Sequence, residues 1–152
     1  DQLIQNTVAK HQLEFMSRSI TMLTNLAEVR LKGDRAQLTT VVDNLLSNAI
    51  KHSPKKSRIQ ISLTEDSKNA RLDVIDNGPG IDPDDEMRIF EPFYQGSDPP
   101  QGSVSGTGLG LAIANRFVLL HHGSINVFNS TGGAHFRVYL PLQVPGLANA
   151  LE

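Results

Sequence analysis

The sequence predicts an α+β fold, a mixed β-sheet covered on one face by helices in a two-layer α/β sandwich. One long amphipathic helix over residues 35–52 supplies the cover. Two pairs of apolar-alternating strands, 58–64 with 70–75 and 124–128 with 134–140, are linked by short polar turns and so read as hairpins. Two strands follow the last long helix instead of alternating with helices, which argues against an all-parallel sheet.

Each element has its own local reason. Leu3, Ile4, Val8, Leu13, Phe15 and Met16 give residues 1–16 an amphipathic helical pattern. Arg18–Leu23 and Glu28–Leu31 alternate like two strands, with Asn25 at the bend. Gly33-Asp34 closes that unit, and Asp34 is placed to cap the next helix. At 100° per residue, Leu38, Val41, Val42, Leu45, Leu46, Ala49 and Ile50 fill one arc of the helix from Arg35 to His52. Thr40, Asp43, Asn44, Ser47, Asn48 and Lys51 fill the other, and Ser53-Pro54 stops it. Arg58–Thr64 and Ala70–Ile75 pair through the turn Glu65–Asn69. The stretch from Asp82 to Ser105 is rich in Asp, Pro, Gly and Ser; its apolar anchors are Met87, Ile89, Phe90, Phe93 and Tyr94, on and after a short helix near Asp84–Ile89. A loop of this length in a compact domain is functional or mobile, and the aromatic cluster suits a hinged lid. Gly108–Leu120 reads as a helix with Gly123 at C′, and Ser124–Phe128 and Ala134–Leu140 close the sheet around Thr131-Gly132-Gly133.

Composition narrows the function. At 152 residues, 39% hydrophobic and 20% charged, the chain has the make-up of one soluble globular domain. A net charge of −2 gives no general electrostatic case for nucleic acid or an anionic membrane, and no nucleic-acid partner is expected. The absence of Cys excludes disulfides, thiol catalysis and thiolate metal sites. No apolar run approaches the ~20 residues of a membrane span. The chain opens mid-pattern at Asp1, as a piece of a longer protein would.

The most informative stretch is Asp76-Asn77-Gly78-Pro79-Gly80-Ile81, which follows the buried strand at 70–75. A carboxylate at a strand end, followed by two glycines around a proline, sets a rigid acid beside backbone that turns sharply. Taken alone it is an ordinary turn. On the long helix, Asn44 and Asn48 are poor helix formers placed one turn apart, and a wet surface face does not account for them. Their amide oxygens, with Lys51 a turn further on, suit a phosphate-bound metal ion.

Together these segments, in order, carry a resemblance. Asp43–His52, Asp76–Ile81, Ile89–Tyr94 and Gly106–Ala114 resemble the N, G1, F and G2 boxes of the GHKL ATP-binding family, in its sensor histidine kinase branch, from about Ile20 to Leu142. The resemblance implies the Bergerat fold with a flexible ATP lid at about 82–105. It implies ATP and Mg²⁺ as cofactors, with Asn44, Asn48 and Lys51 as the catalytic set. Asn48 would hold Mg²⁺, Asn44 would reach it through water, and Lys51 would offset phosphate charge. Asp76 would accept the adenine amino group, where guanine would present a repelled carbonyl. Gly78, Gly80, Ile81, Phe90 and Tyr94 would surround the base. His52 stands where relatives often carry an aromatic, although a helix-terminal His favoured by the dipole reads equally well. Gly106, Thr107, Gly108, Leu109, Gly110 and Leu111 would lie along the phosphates. Gln95 departs from the Arg or Lys of many relatives, and Ala134 from a frequent Thr.

The same comparison implies the reaction. ATP-hydrolysing relatives carry a Glu base at the position of Asn44, and an amide cannot take that proton, so phosphoryl transfer to a histidine is expected over hydrolysis. The alternatives are a GHKL-type ATPase or a degenerate nucleotide-binding sensor. None of His11, His52, His121, His122 or His135 sits in the family's acceptor pattern. The acceptor is therefore expected on a helical hairpin of a longer, homodimeric parent, with relay to a response regulator Asp. The isolated domain is expected to be monomeric and cytoplasmic, its parent anchored in the inner membrane.

Overall fold

The computed structural model describes residues 1–94, 108–130 and 133–143. Its elements run α1 (Gln2–Lys10), α2 (Gln12–Ser17), β1 (Thr21–Leu26), α3 (Arg35–His52), β2 (Arg58–Glu65), β3 (Asn69–Ile75), α4 (Gly110–Leu120), β4 (Ser124–Ser130) and β5 (Gly133–Pro141). The strands form one sheet in the order β1-β2-β3-β5-β4, with β1 parallel to β2 and the other pairs antiparallel. This is the mixed sheet the sequence predicts.

Register sorts the two faces. Ile61, Val74, Phe136 and Val127 share one row, and Leu63, Leu72, Val138 and Ile125 the next. Against them lie Leu45, Leu46, Val41 and Ala49 of α3 and Ala114 and Val118 of α4, all buried. Burial of one Leu or Ile side chain contributes about 1.5–3 kcal/mol, so this interface dominates stability. The opposite face carries Ser62, Asp73, Arg137 and Asn126 in register.

α3 spans Arg35–His52 as predicted, and Asp34 caps it by accepting from the Gln37 N–H at 2.9 Å. The Asp34 N–H in turn donates to His121 Nε2 at 2.9 Å, while His121 Nδ1 lies 2.8 Å from the Phe117 carbonyl. That network assigns the neutral Nδ1–H tautomer. It ties the end of α4 to the start of α3, so the two helices run antiparallel. At the other end of α3, the Arg18 guanidinium donates to the Ile50 and Ser53 carbonyls, both at 2.6 Å. These bonds close the helix C-terminus that carries Lys51 and His52.

Four expectations need correction. The 1–16 helix breaks at His11 (φ −94°, ψ 7°), whose ring bridges Glu14 (2.9 Å) and Asp43 (2.7 Å). The two strands at 18–23 and 28–31 are one, Thr21–Leu26, with Asn25 paired inside it opposite Ser62. Arg18 is committed to α3, and Val29 and Leu31 alternate because they pack on the core without joining the ladder. Turns take the place of a helix near Asp84–Ile89: the bonds from Asp85 to Asp82 and Arg88 to Asp85 are three residues apart, only that from Ile89 to Asp85 spans four, and Asp82 Oδ1 takes the Asp84 N–H at 2.9 Å, so an Asx turn competes with the helix. The left-handed residue closing α4 is His122 (φ 60°), with Gly123 one place beyond, its N–H on the Val118 carbonyl.

Candidate functional site

β3 delivers its last residue, Ile75, to the edge of the core, and Asp76 follows with only 2% of its surface exposed. Asp76 Oδ1 accepts from the Gly78 N–H (2.9 Å) and the Ala134 N–H (3.2 Å), and the Asp76 N–H donates to the Ala134 carbonyl at 3.0 Å. Among the described residues Oδ2 accepts nothing. Burial pushes this carboxyl above its ordinary range, and the two backbone N–H groups and His52 offset that only in part. The site therefore holds a buried carboxylate without a salt-bridge partner among the described residues.

The loop 76–81 is wedged between α3 and the β4–β5 hairpin. A Cβ on Gly78 would stand 2.4 Å from the His52 carbonyl, and one on Gly133 would stand 1.8 Å from the Asp76 carbonyl. Gly80 adopts φ +81°, and a Cβ there would meet Asn129 Oδ1 at 2.7 Å. Beyond room for a ligand, these glycines are demanded by backbone packing. Asn129 reaches back to the loop with both ends of its amide, accepting the Ile81 N–H and donating to the Ile81 carbonyl, each at 2.7 Å.

On α3, Asn44, Asn48 and Lys51 make no side-chain hydrogen bond or ion pair with the described residues, and all three are half-buried. Asn44 faces the start of α4, where its Oδ1 would lie 3.4 Å from a Cβ on Gly110. His52 sits between Lys51 and Asp76; burial and then Lys51 hold its imidazole below the usual value, and Asp76 opposes them. α4 begins at Gly110, two residues later than predicted, after Leu109 with no side-chain cap. Its first N–H groups thus open toward the Asn44 side of the pocket.

The approach to the lid is partly anchored. Ile89 is buried, Phe90 packs edge-on against Phe136 (6.3 Å), Tyr94 bonds Asp85, and Arg88 stacks on the Tyr94 ring (4.5 Å). Met87 and Phe93 are not anchors, being 90% and 72% exposed. Phe93, at φ 66°, donates its N–H to the Gly108 carbonyl at 3.0 Å, which joins the two described ends of the lid. Gln95, Gly106, Thr107 and the stretch 97–105, for which high mobility is expected, lie outside the described residues.

Of the residues singled out in the sequence, Gly78 thus lies against Asp76 and His52, and Gly110 against Asn44, with Asn48 and Lys51 between Asn44 and His52 along α3. Leu109 and Leu111 flank the start of α4. Sequence reading missed the Ala134 backbone, Arg18 and Asn129. The only available signal for Asn129 was a poor strand former at the end of a strand. A separate hollow of about 730 Å³, lined by Leu3, Val29, Leu38, Leu72 and Leu140 with Glu28, Arg30 and Arg35 among its polar residues, holds none of the site residues.

A mixed sheet under two antiparallel helices, with a buried acid beyond the end of β3 and an uncapped helix start beside Asn44, is the layout of an ATPase domain of the histidine kinase type. Residues 33–144 match the family described as histidine kinase-, DNA gyrase B- and HSP90-like ATPase, and the chain belongs to that family. It is 34% identical over 143 residues to the sensor-like histidine kinase SenX3 of Mycobacterium tuberculosis, a match covering 93% of this chain. That match spans about a third (35%) of SenX3. Among solved structures, the mycobacterial sensor histidine kinase MprB superposes with a TM-score of 0.83 at 30% identity, covering 94% of this chain and 95% of that one. Full-length ShkA in complex with AMPPNP gives 0.77 at 25% identity, covering 92% of this chain and 29% of that one.

Proposed function

We propose that this domain binds Mg·ATP between α3, the 76–81 loop and the start of α4, and within a longer parent donates the γ-phosphoryl group to a histidine. The observation that carries this reading is Asp76, a buried carboxylate held by two backbone N–H groups on one oxygen with the other oxygen open to an adenine amino group. The AMPPNP in the ShkA complex supports the nucleotide class.

The residues fit the metal. Asn44 and Asn48 offer neutral amide oxygens one turn apart, a hard donor set of the kind Mg²⁺ takes while keeping several waters. Among the described residues no cluster of His, Asp and Glu competes for the ion. When bound, Mg²⁺ neutralises charge developing on the transferred phosphoryl group. Asn48 would hold it and Asn44 would order its water, while Lys51 and the α4 N–H groups face the phosphates. His52, neutral in its buried setting, borders the base beside Phe90, Tyr94 and Ile81. Asn44 has no basic oxygen to deprotonate water, so the nucleophile comes from outside the domain. By this reading the acceptor is a His on a helical hairpin of a dimeric parent, relayed to a response regulator. The chain is then one monomeric, cytoplasmic domain of a membrane-anchored sensor. What supports a longer parent is the match to the sensor-like histidine kinase SenX3, of which it spans 35%; among the described residues no helix is long and apolar enough to cross a membrane.

Two measurements test it. Calorimetry with Mg²⁺ and ATP should show binding that Asp76→Asn weakens at least about tenfold; unchanged affinity in that variant overturns the nucleotide reading. Mixing the domain with γ-labelled ATP and its parent's acceptor hairpin should move label to histidine. Rapid release of free phosphate would identify a hydrolase instead, and binding with neither outcome a sensor.

A further inference from the structure

We propose that Asn129 is a positioning residue that sets the nucleotide-binding loop and its preference for adenine. The proposal rests on the reading of Asp76–Ile81 as the base-binding loop and deepens it.

The loop is fixed at two points, and both belong to the β4–β5 hairpin. At its start, Asp76 exchanges backbone and side-chain hydrogen bonds with Ala134 of β5. At its end, the Asn129 amide pairs with both backbone groups of Ile81 at 2.7 Å, mimicking one rung of a β-ladder from a side chain. Between the anchors lie Asn77, Gly78, Pro79 and Gly80. Two glycines in so short a span leave the free loop many conformations. Asn129 removes that freedom at the end remote from Asp76, and its Oδ1 also occupies the space a Gly80 side chain would need. No other residue type offers a donor and an acceptor in one plane at this reach; Asp lacks the donor, and Gln adds a methylene. A base stacked over the loop meets Asp76 at one end and Ile81 at the other. Releasing Ile81 lets the base tilt away from the Asp76 carboxylate, the group that discriminates an amino substituent from a carbonyl.

The test compares wild type, Asn129→Leu and Asn129→Asp by calorimetry with Mg·ATP and Mg·GTP, well below the melting temperature, with Asp76→Asn alongside. Asn129→Leu should weaken ATP binding about tenfold, or ~1.4 kcal/mol, and narrow the ATP-over-GTP preference. Asn129→Asp should do the same, because a carboxylate facing the Ile81 carbonyl repels it. A merely structural role would lower the melting temperature and leave the preference unchanged. If Asn129→Leu fails to fold, hydrogen exchange of the wild-type Ile81 amide decides. Protection in the nucleotide-free protein supports the clamp, and free exchange overturns it. Unchanged affinity and preference in both Asn129 variants also overturn it. If Asp76→Asn weakens binding while both Asn129 variants keep the wild-type affinity and preference, only this inference fails; if Asp76→Asn is silent, the nucleotide reading fails with it.

Discussion

Asp73 and Asp76 lie three residues apart at the end of one strand, both are almost wholly buried (3% and 2% exposed), and their surroundings are opposite. Asp73 lies on the open face of the sheet beneath His135 (2.6 Å), Arg137 (2.7 Å) and Arg71 (3.0 Å). Burial alone would raise its carboxyl, but hydrogen bonds from Arg137 and His135 and the charges of Arg137 and Arg71 outweigh that and hold it low. Arg137 stacks over Phe128, and Phe128 on His135, so the guanidinium is held in place as well. Asp76 has backbone N–H partners and only the weak opposing charge of His52, and burial raises it. A buried acid whose needs are met holds the sheet together; one left short of partners costs stability and is suited to a ligand.

The sharpest test of that contrast is to neutralise each acid. Asp76→Asn should reduce ATP affinity by about 1.5–3 kcal/mol, roughly ten- to 150-fold by calorimetry. Its nucleotide-free melting temperature should hold or rise, because a costly buried charge is gone. Asp73→Ala should do the reverse. Losing hydrogen bonds to charged groups should cost about 1.5–3 kcal/mol in urea unfolding, with ATP affinity within about twofold of wild type.

The pH dependence should separate the two acids. Asp73 is lower in the folded state than unfolded, so its contribution is present above the unfolded value, about pH 4, and is lost as pH falls through the folded one. Asp76 is higher in the folded state, so its contribution is complete below about pH 4 and is lost as pH rises through the raised value. Urea melts across that range should lose the acid limb in Asp73→Asn and the rise-side loss in Asp76→Asn.

Smaller effects grade the open-face cluster. Arg137→Ala should cost about 1 kcal/mol. Arg71→Ala should stay within about 0.5 kcal/mol, since the Arg71 side chain is 41% exposed and screened by solvent. Equal costs in thermal melts of the two variants would contradict the ranking of these partners.

What was legible in the sequence was whatever a period or a short motif encodes. The 35–52 helix was readable to the residue because an apolar arc, an N-cap and a proline stop agree. Both hairpins were readable from alternation, and the loop at Asp76 from a carboxylate followed by glycines. The failures came from interactions between distant segments. Nothing local marks Arg18 as the clamp on α3, 32 residues away. Alternation in 28–31 signalled packing, which the strand rule cannot distinguish from pairing. Asn129 serves Ile81 across 48 residues, and Ala134 acts through its backbone, which no residue type reveals. Asp73 itself was read as one more polar position in a strand.

The hydrogen bond from Phe93 to Gly108 has a consequence for variation in this domain. It holds the chain at Phe93 against the chain at Gly108, so the spacing of these two described positions does not depend on how many residues lie between them. Stretching a chain whose ends are already joined is thermodynamically cheap, about 0.6 kcal/mol for each doubling of length. Grafts and insertions there can be long and unlike one another while the pocket walls keep their spacing.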